Sequence, residues 1–499
     1  MTTDGMRRRD FEVIVIGAGV SGIGAAIRLR EIGLTDFAVL EKADELGGTW
    51  RDNDYPGCAC DVPSALYSYS FAPNPEWTRA FATQPEIRAY VRRTAERFGV
   101  AEHIRFGTEL TRATWDPAAH RWRLDTSRGE YTARLVIAGA GPWHEPKLPE
   151  LPGLDSFPGA TFHSARWNHD VDLTGKRVAV IGSGASAVQF VPAIQRRVGE
   201  LHLFQRTAQW VLPKPDHYVP HLERWILRRF PAALRALRTF EYGALEGLGV
   251  GFRHPWLLRQ VQRLGTLNLR RSIKDIELRR ALTPDYTLGC KRLLMSNSYY
   301  PTLAKPNVTV HPTAVTGVEG GRVLGADGSA AEVDAIIFGT GFHILDMPLA
   351  DRVVAGDGRS LADVWQGSPK AYLGTAISGF PNLFLLLGPN LGTGHSSAFA
   401  ILEAQLAHVI GAVGRMRRAG WATLDVRPEA QDEFNARVQA ALPRTVYNSG
   451  GCSSYYLDVN GRNSFSWPWS TGRLRDQVGR FDPDAYLIDA PSQEPAAAS

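Results

Sequence analysis

Two glycine-rich turns, each set between an apolar run and a helical pattern, fix most of what this chain can become. The first is Gly17-Ala18-Gly19-Val20-Ser21-Gly22 after Val13-Ile14-Val15-Ile16, and the second is Gly182-Ser183-Gly184-Ala185-Ser186-Ala187 after Val178-Ala179-Val180-Ile181. A turn of this kind between a strand and a helix holds a dinucleotide: its small residues let the backbone approach a pyrophosphate, and the helix N-terminus receives the charge. A charged residue at the same offset from each turn separates the two. Glu41 stands 24 positions beyond Gly17, at the end of Phe37-Ala38-Val39-Leu40, and Arg206 stands 24 positions beyond Gly182, at the end of Leu201-His202-Leu203-Phe204. A carboxylate at that place accepts hydrogen bonds from a ribose diol and repels a 2′-phosphate, whereas a guanidinium pairs with the phosphate. The first unit is therefore expected to bind FAD and the second NADPH. The fold class is α/β, with two Rossmann-like dinucleotide-binding domains.

The chain leaves the first unit and later returns to it. Pro146, Pro149 and Pro152 in a short stretch stop both helix and central strand, which marks a linker. Asp334-Ala335-Ile336-Ile337-Phe338-Gly339-Thr340-Gly341 ends in glycines, as Leu135-Val136-Ile137-Ala138-Gly139-Ala140-Gly141 does, and marks the return. The expected division is residues 1–146 for the first part of the FAD domain and 153–213 for the first part of the NADPH domain. Residues 214–289 form a helical insertion, 290–340 complete the NADPH domain, and 341–499 complete the FAD domain with a polar C-terminal tail. The turn Gly388 to Ser397, which contains Asn390, is placed to offer backbone N–H groups to a flavin ring.

Charge is concentrated in the insertion. Between Lys214 and Arg280 there are 14 Lys and Arg against 6 Asp and Glu, while the whole chain carries only +5. Apolar residues recur there at helical spacing, so the expectation is a set of amphipathic helices with apolar sides on the core and arginines in water. No motif of a nucleic-acid-binding module accompanies the charge, and no nucleic acid is expected as a partner. No run has the length of a transmembrane helix, so no stable membrane insertion is expected. Met1 to Arg9 runs into the first strand without an apolar stretch, which together with only four cysteines suggests the cytoplasm. Cys58, Cys60, Cys290 and Cys452 are expected to be small buried side chains, and no metal site is expected.

Three further patterns narrow the class. Phe157-Pro158-Gly159-Ala160-Thr161-Phe162-His163-Ser164-Ala165-Arg166-Trp167 fits FxGxxxHxxxW; Gly47-Gly48-Thr49-Trp50 with Tyr55-Pro56-Gly57 and Asp61 fits GGTW…YPG…D; and Lys291-Arg292 with Tyr299-Tyr300 fits KR…YY. Together they resemble the type I Baeyer–Villiger monooxygenases, over about Phe11 to Arg475. Asn168 stands where that family usually has Pro or Asp, and Gly339-Thr340-Gly341 replaces its AlaThrGly linker. The resemblance implies an enzyme that uses NADPH, FAD and O2 to convert a ketone into an ester or lactone. It implies cofactor contacts from Gly48, Thr49, Trp50, Tyr55 and Asp61, beside those of Gly17, Gly19, Gly22 and Glu41.

The residues suit that chemistry. Reduced flavin and dioxygen give a peroxide that attacks a ketone only as an anion, and a fixed cation stabilises it. Arg292 is the catalytic candidate, because a guanidinium stays charged when partly buried, and Asp61 is its partner. Lys291 and Arg206 would share the NADPH phosphate, with Thr207 as a neighbour and Gly182, Ser183, Gly184 and Ser186 along the pyrophosphate. His163 and Trp167 suit hinge packing better than proton transfer. Trp210, Trp467, Trp469, Tyr299 and Tyr300 stay open between pocket wall and core. An N- or S-oxygenating flavin monooxygenase is the rival enzyme, but it needs no arginine to keep an anion. A disulfide reductase needs a flavin-side cysteine pair that Cys58-Ala59-Cys60 does not convincingly supply. A flavin-binding, membrane-associated protein without turnover is the rival of another class. The ketone and the oligomeric state are not legible in the sequence.

Overall fold

A computed structural model describes residues 9–489; the tail after Pro491, read from its composition as disordered, lies outside the described residues. Two sheets organise the chain. The first has eight strands, running Val353–Val354, Leu110–Asp116, Arg121–Thr126, Gly129–Ala138, Asp10–Ile16, Phe37–Leu40 and Ile104–Arg105 in spatial order, with Leu383–Leu385 also pairing with Gly129–Ala138. Gly129–Ala138 serves two neighbours on one side. Its start pairs antiparallel with Arg121–Thr126, and its end pairs parallel with Leu383–Leu385, so the late segment re-enters the sheet beside the first unit. The second sheet is wholly parallel, in the order Val308–His311, Glu200–Phe204, Arg177–Ile181, Ala335–Phe338, Ala160–His163. Its central strands are apolar because both faces are covered: Val178, Val180 and Ile337 pack with the helix that follows the second turn, and Ala179, Ile181 and Ile336 pack against a small antiparallel sheet of Val315–Glu319, Arg322–Gly325 and Ala330–Glu332.

Each glycine turn sits where the central strand of its sheet gives way to a helix: Val20–Glu31 after the first, Ala185–Ile194 after the second. Both helices start on a glycine with extended φ and ψ, Gly19 and Gly184. Neither has a side-chain cap or an acidic residue in its first turn. Elsewhere Ser360, Ser397 and Ser470 cap helices with their hydroxyls. The two uncapped starts leave N–H donors and positive helix ends available to an anion.

The two crossings between the sheets run side by side. The Lys147 N–H donates to the Gly341 carbonyl at 2.9 Å, and the Thr340 hydroxyl to the Lys147 carbonyl at 2.6 Å. One apolar core joins the sheets, and Val13, Ile23, Val178, Phe190 and Tyr299 all belong to it.

The insertion consists of helices His221–Arg229, Pro231–Arg253, Pro255–Ser272 and Ile276–Ala281. The expectation that its apolar sides lie on the core holds only in part. Leu234, Phe252, Leu258 and Leu269 are buried, yet the first helix buries no residue, and Leu222, Phe240 and Trp256 are 68%, 72% and 60% exposed. The reason is that the long helix Pro231–Arg253 docks by one face only, where charged side chains stand beside Leu234, Leu245, Leu248 and Phe252. Arg238 donates to the Ala65 carbonyl at 2.8 Å, Glu241 accepts from the Leu66 N–H at 2.9 Å, and Glu246 meets His395 at 3.0 Å, which leaves apolar residues on the opposite face.

The cysteine reading also needs correcting. Cys290 and Cys452 form a disulfide across 162 residues, and only Cys58 and Cys60 are free and buried. The fold brings together two residues whose distance along the chain hid them.

Candidate active site

Arg292 and Asp61 meet 231 positions apart in sequence. The guanidinium grips the carboxylate with both prongs: Nε donates to Oδ2 at 2.9 Å and Nη2 to Oδ1 at 2.7 Å. Each side chain keeps 29–30% exposure, so the pair borders a space rather than filling the core. Burial alone would raise the Asp61 pKa, but the charge and hydrogen bonds of Arg292, with help from Lys214, outweigh it and hold the carboxyl below its ordinary value. The guanidinium shows the mirror image: burial disfavours its charge and Asp61 more than restores it.

Two backbone anchors hold this pair. Arg292 precedes the strand Leu294–Met295, which pairs in parallel with Val211–Leu212, and Cys290 just before it is tied to Cys452. Asp61 ends a loop pinned from the other unit by Gln189, which accepts from the Ala59 N–H at 3.3 Å, donates to the Ala59 carbonyl at 2.9 Å and accepts from the Tyr55 hydroxyl at 2.9 Å. Ser186 also bonds Tyr55, and the Cβ of any residue replacing Gly57 would come within 2.9 Å of the Gln189 carbonyl oxygen. Tyr55 and Gly57 thus serve the joint between the two units. Gln189 carried no signal in the sequence, because its role needs both units folded.

Others near the pair were equally silent. Lys214 donates to the Cys60 carbonyl at 3.1 Å and lends a second positive charge. Burial raises the phenols of Tyr455 and Tyr456, and both feel the opposing charge of Arg292.

The residues of the first turn fit FAD. The Cβ of a residue replacing Gly22 would lie 1.8 Å from the Gly17 carbonyl oxygen, that of one replacing Gly48 2.9 Å from the Gly19 Cα, and Gly17 has φ +91°. Only glycine keeps that backbone open. Glu41, 4% exposed, accepts from the Ala18 N–H at 2.7 Å, the Ala43 N–H at 3.0 Å and Arg51 at 3.0 Å, which fixes a carboxylate beside the turn with lone pairs to spare. Thr49 and Trp50 open the short helix Thr49–Asp52, where the Trp50 indole donates to the Tyr67 hydroxyl at 3.0 Å. On the turn Gly388 to Ser397, Asn390 Oδ1, Thr393 Oγ1 and Ser396 Oγ are buried without partners. Buried orphans of that kind are what a bound ring with polar edges would satisfy.

The second turn fits NADPH. Gly182 has φ +107°, and a Cβ there would lie 2.4 Å from the Gly339 carbonyl oxygen. Ser183 donates to the Thr207 carbonyl at 3.3 Å, which ties the turn to the segment after Arg206. Burial lowers the Lys291 pKa and the neighbouring charge of Arg206 lowers it further. Two cations held close together are a site for a dianion. Arg206→Ala should raise the Michaelis constant for NADPH by about ten- to a hundredfold relative to that for NADH, the worth of one charge-assisted contact. Equal effects on both cofactors in steady-state kinetics would remove Arg206 from phosphate recognition.

Several other candidates lie in or against the packed interior. His163 Nδ1 accepts from the Ala165 N–H at 3.1 Å, and burial with the charge of Arg166 brings its pKa down to about 4. Trp167 packs on Phe162 and Phe190. Trp467, Tyr299 and Tyr300 are buried, and the Trp210 indole donates to the Tyr286 carbonyl at 2.7 Å. Burial pushes the Cys58 thiol up to about 12, which makes it a poor nucleophile and argues against disulfide reduction.

Residues 14–244 match the family model described as pyridine nucleotide-disulphide oxidoreductase. A Baeyer-Villiger monooxygenase of Streptomyces coelicolor is 50% identical over 98% of this chain and 95% of its own length, and one of Pseudomonas aeruginosa is 48% identical over 96% and 92%. The chain belongs to the Baeyer–Villiger monooxygenase family. A solved structure of OTEMO in complex with FAD and NADP superposes with a TM-score of 0.87 at 27% identity, covering 97% of this chain and all of that one. Membership in the Baeyer–Villiger family makes the chain a flavin-dependent monooxygenase of the α/β class, with one Rossmann-like unit for FAD and one for NADP(H). No helix among the described residues is long and apolar enough to cross a membrane.

Proposed function

We propose that this enzyme takes two electrons from NADPH and inserts one atom of O2 beside a ketone carbonyl, giving an ester or lactone and releasing the other oxygen as water. The observation that carries this reading is the Arg292–Asp61 pair, a permanent cation held by two hydrogen bonds at the edge of a partly water-excluded space. When bound, reduced FAD supplies the activated oxygen. With the cofactor bound, Arg292 would support the negative charge that develops on oxygen, and Asp61 would fix its direction. Lys214 adds positive potential, and Tyr455 and Tyr456 limit water near the guanidinium. Glu41 orients the ribose of FAD, while Arg206 and Lys291 hold the 2′-phosphate of NADPH. Asn390 and its turn would border the flavin.

This reading assigns residues 1–146 and 341–499 to the FAD domain, 153–213 and 290–340 to the NADPH domain, and 214–289 to the helical insertion. It also places the enzyme in the cytoplasm, acting on a small-molecule ketone; the Cys290–Cys452 disulfide removes the cysteine argument for that compartment, and the supply of NADPH there carries the placement. The test is a panel of cyclic, aromatic and steroid-like ketones under ¹⁸O2, with product mass and hydrogen peroxide measured together. At least one ketone should gain a single labelled oxygen with little peroxide. Oxygenation of amines or thioethers alone would transfer the assignment to the rival chemistry, and peroxide alone across the panel would leave no oxygenase.

A further inference from the structure

Apolar exposure in this molecule is not scattered. Of 16 large apolar side chains exposed among the described residues, 11 lie between Tyr218 and Ile276, which makes the insertion a candidate contact surface. On the helix His221–Arg229, Glu223 and Leu227 are half-buried toward the body while Leu222, Trp225 and Ile226 point away. The long helix Pro231–Arg253 presents Phe240, Gly243, Ala244, Gly247 and Val250 outward at helical spacing, with no charge among them. A Cβ added at Gly243 or Gly247 would meet nothing within 4 Å. The helix Pro255–Ser272 continues with exposed Trp256, Leu264 and Leu267 between exposed Arg259, Arg263 and Arg270.

The charge of this surface selects its partner. Glu241 and Glu246 are turned inward to Leu66 and His395, Asp216 is paired with Arg79, and Glu277 with Arg280. Arg229, Arg235, Arg259, Arg263, Arg270, Arg271 and Lys274 are all exposed. The acids of the insertion are thus largely hidden or neutralised, and the outer face is strongly basic. A second copy of this chain would set like charges against each other. An anionic bilayer matches both properties, because arginines meet lipid phosphates while Trp, Phe and Leu enter the headgroup boundary.

We propose that the helical insertion docks the enzyme peripherally on an anionic membrane surface, lying on the bilayer without crossing it. The holoenzyme should co-sediment at about 0.1 M salt with vesicles of phosphatidylcholine containing about one-third phosphatidylglycerol, and should stay in the supernatant with pure phosphatidylcholine. Arg259→Ser with Arg263→Ser and Arg270→Ser should lower the partition constant about a hundredfold, since each basic side chain near such a surface contributes about fivefold. Phe240→Ser with Trp256→Ser should lower it more than about tenfold through lost apolar burial. Flavin content and melting midpoint, unchanged in both variants, show that the fold survives. The proposal fails if the enzyme binds neither vesicle, if neutral vesicles bind it equally, or if both variants bind like the parent. A concentration-dependent dimer in sedimentation velocity that Phe240→Ser dissociates would give the face to a second copy instead.

Discussion

Arg292→Ala should keep its flavin and lose its ester. The first glycine turn does not rest on this side chain: Gly17, Gly22, Gly48 and Glu41 hold their geometry through contacts of their own. Reduction by NADPH should remain measurable, although slower, because Lys291 next to it serves the phosphate. What goes is the fixed positive charge at the place where oxygen carries negative charge, and one such donor is worth roughly 3–4 kcal/mol. Ester formation should therefore fall about a hundred- to a thousandfold, while the oxygen consumed appears as hydrogen peroxide. Parallel assays of NADPH, peroxide and ester decide the matter. A variant that still couples NADPH oxidation to ester at near wild-type yield removes Arg292 from the mechanism. Asp61, left behind as a partly buried carboxylate without its guanidinium, makes some loss of stability a second expectation, readable in the melting midpoint.

Cys452→Ser should produce the largest loss of stability from a change outside the core. The disulfide closes a loop of 162 residues, which on a chain-entropy basis restricts the unfolded state by about 5 kcal/mol. Spread over cooperative unfolding of the whole chain, that corresponds to a fall of about 5 °C in melting midpoint. Reductant should bring the wild type down to the variant and leave the variant where it is. Thiol titration of the denatured wild type should find the free pair Cys58 and Cys60 before reduction and all four cysteines after it. An unchanged midpoint, or four thiols without reductant, would show that Cys290 and Cys452 are not joined.

The parts legible in the sequence were those in which neighbouring residues carry the whole pattern. Val13 to Gly22 and Val178 to Ala187 each contain strand, turn and helix start in ten residues, and both sit in the structure as central strand, glycine turn and uncapped helix. The opposite charges of Glu41 and Arg206 were readable for the same reason, since a fixed offset along the chain stands for a fixed place at the end of the next strand. What stayed hidden depends on segments that meet only after folding. Gln189 looks like any polar residue on a helix until the Ala59 backbone arrives beside it. Cys290 and Cys452 looked unrelated because no local spacing links them. The insertion misled for another reason: its long helix is apolar on two faces, and periodicity shows that a stripe exists without showing which of two is covered. Glu241 and Glu246, which look like solvated charges, turned out to be its anchors.

The paired crossings at Lys147 and Gly341 have a kinematic consequence. Two polypeptide connections that pass between the sheets far apart would act as two pins and hold the sheets at a set angle. Here they lie against each other, bonded through Lys147, Thr340 and Gly341, and so amount to a single pivot. Such a pivot opposes separation of the sheets and by itself gives little resistance to rotation about it. Resistance to that rotation falls to the apolar core shared by the sheets and to ties off the axis, the Cys290–Cys452 disulfide and the hydrogen bonds of Gln189 with Ala59 and Tyr55 among them.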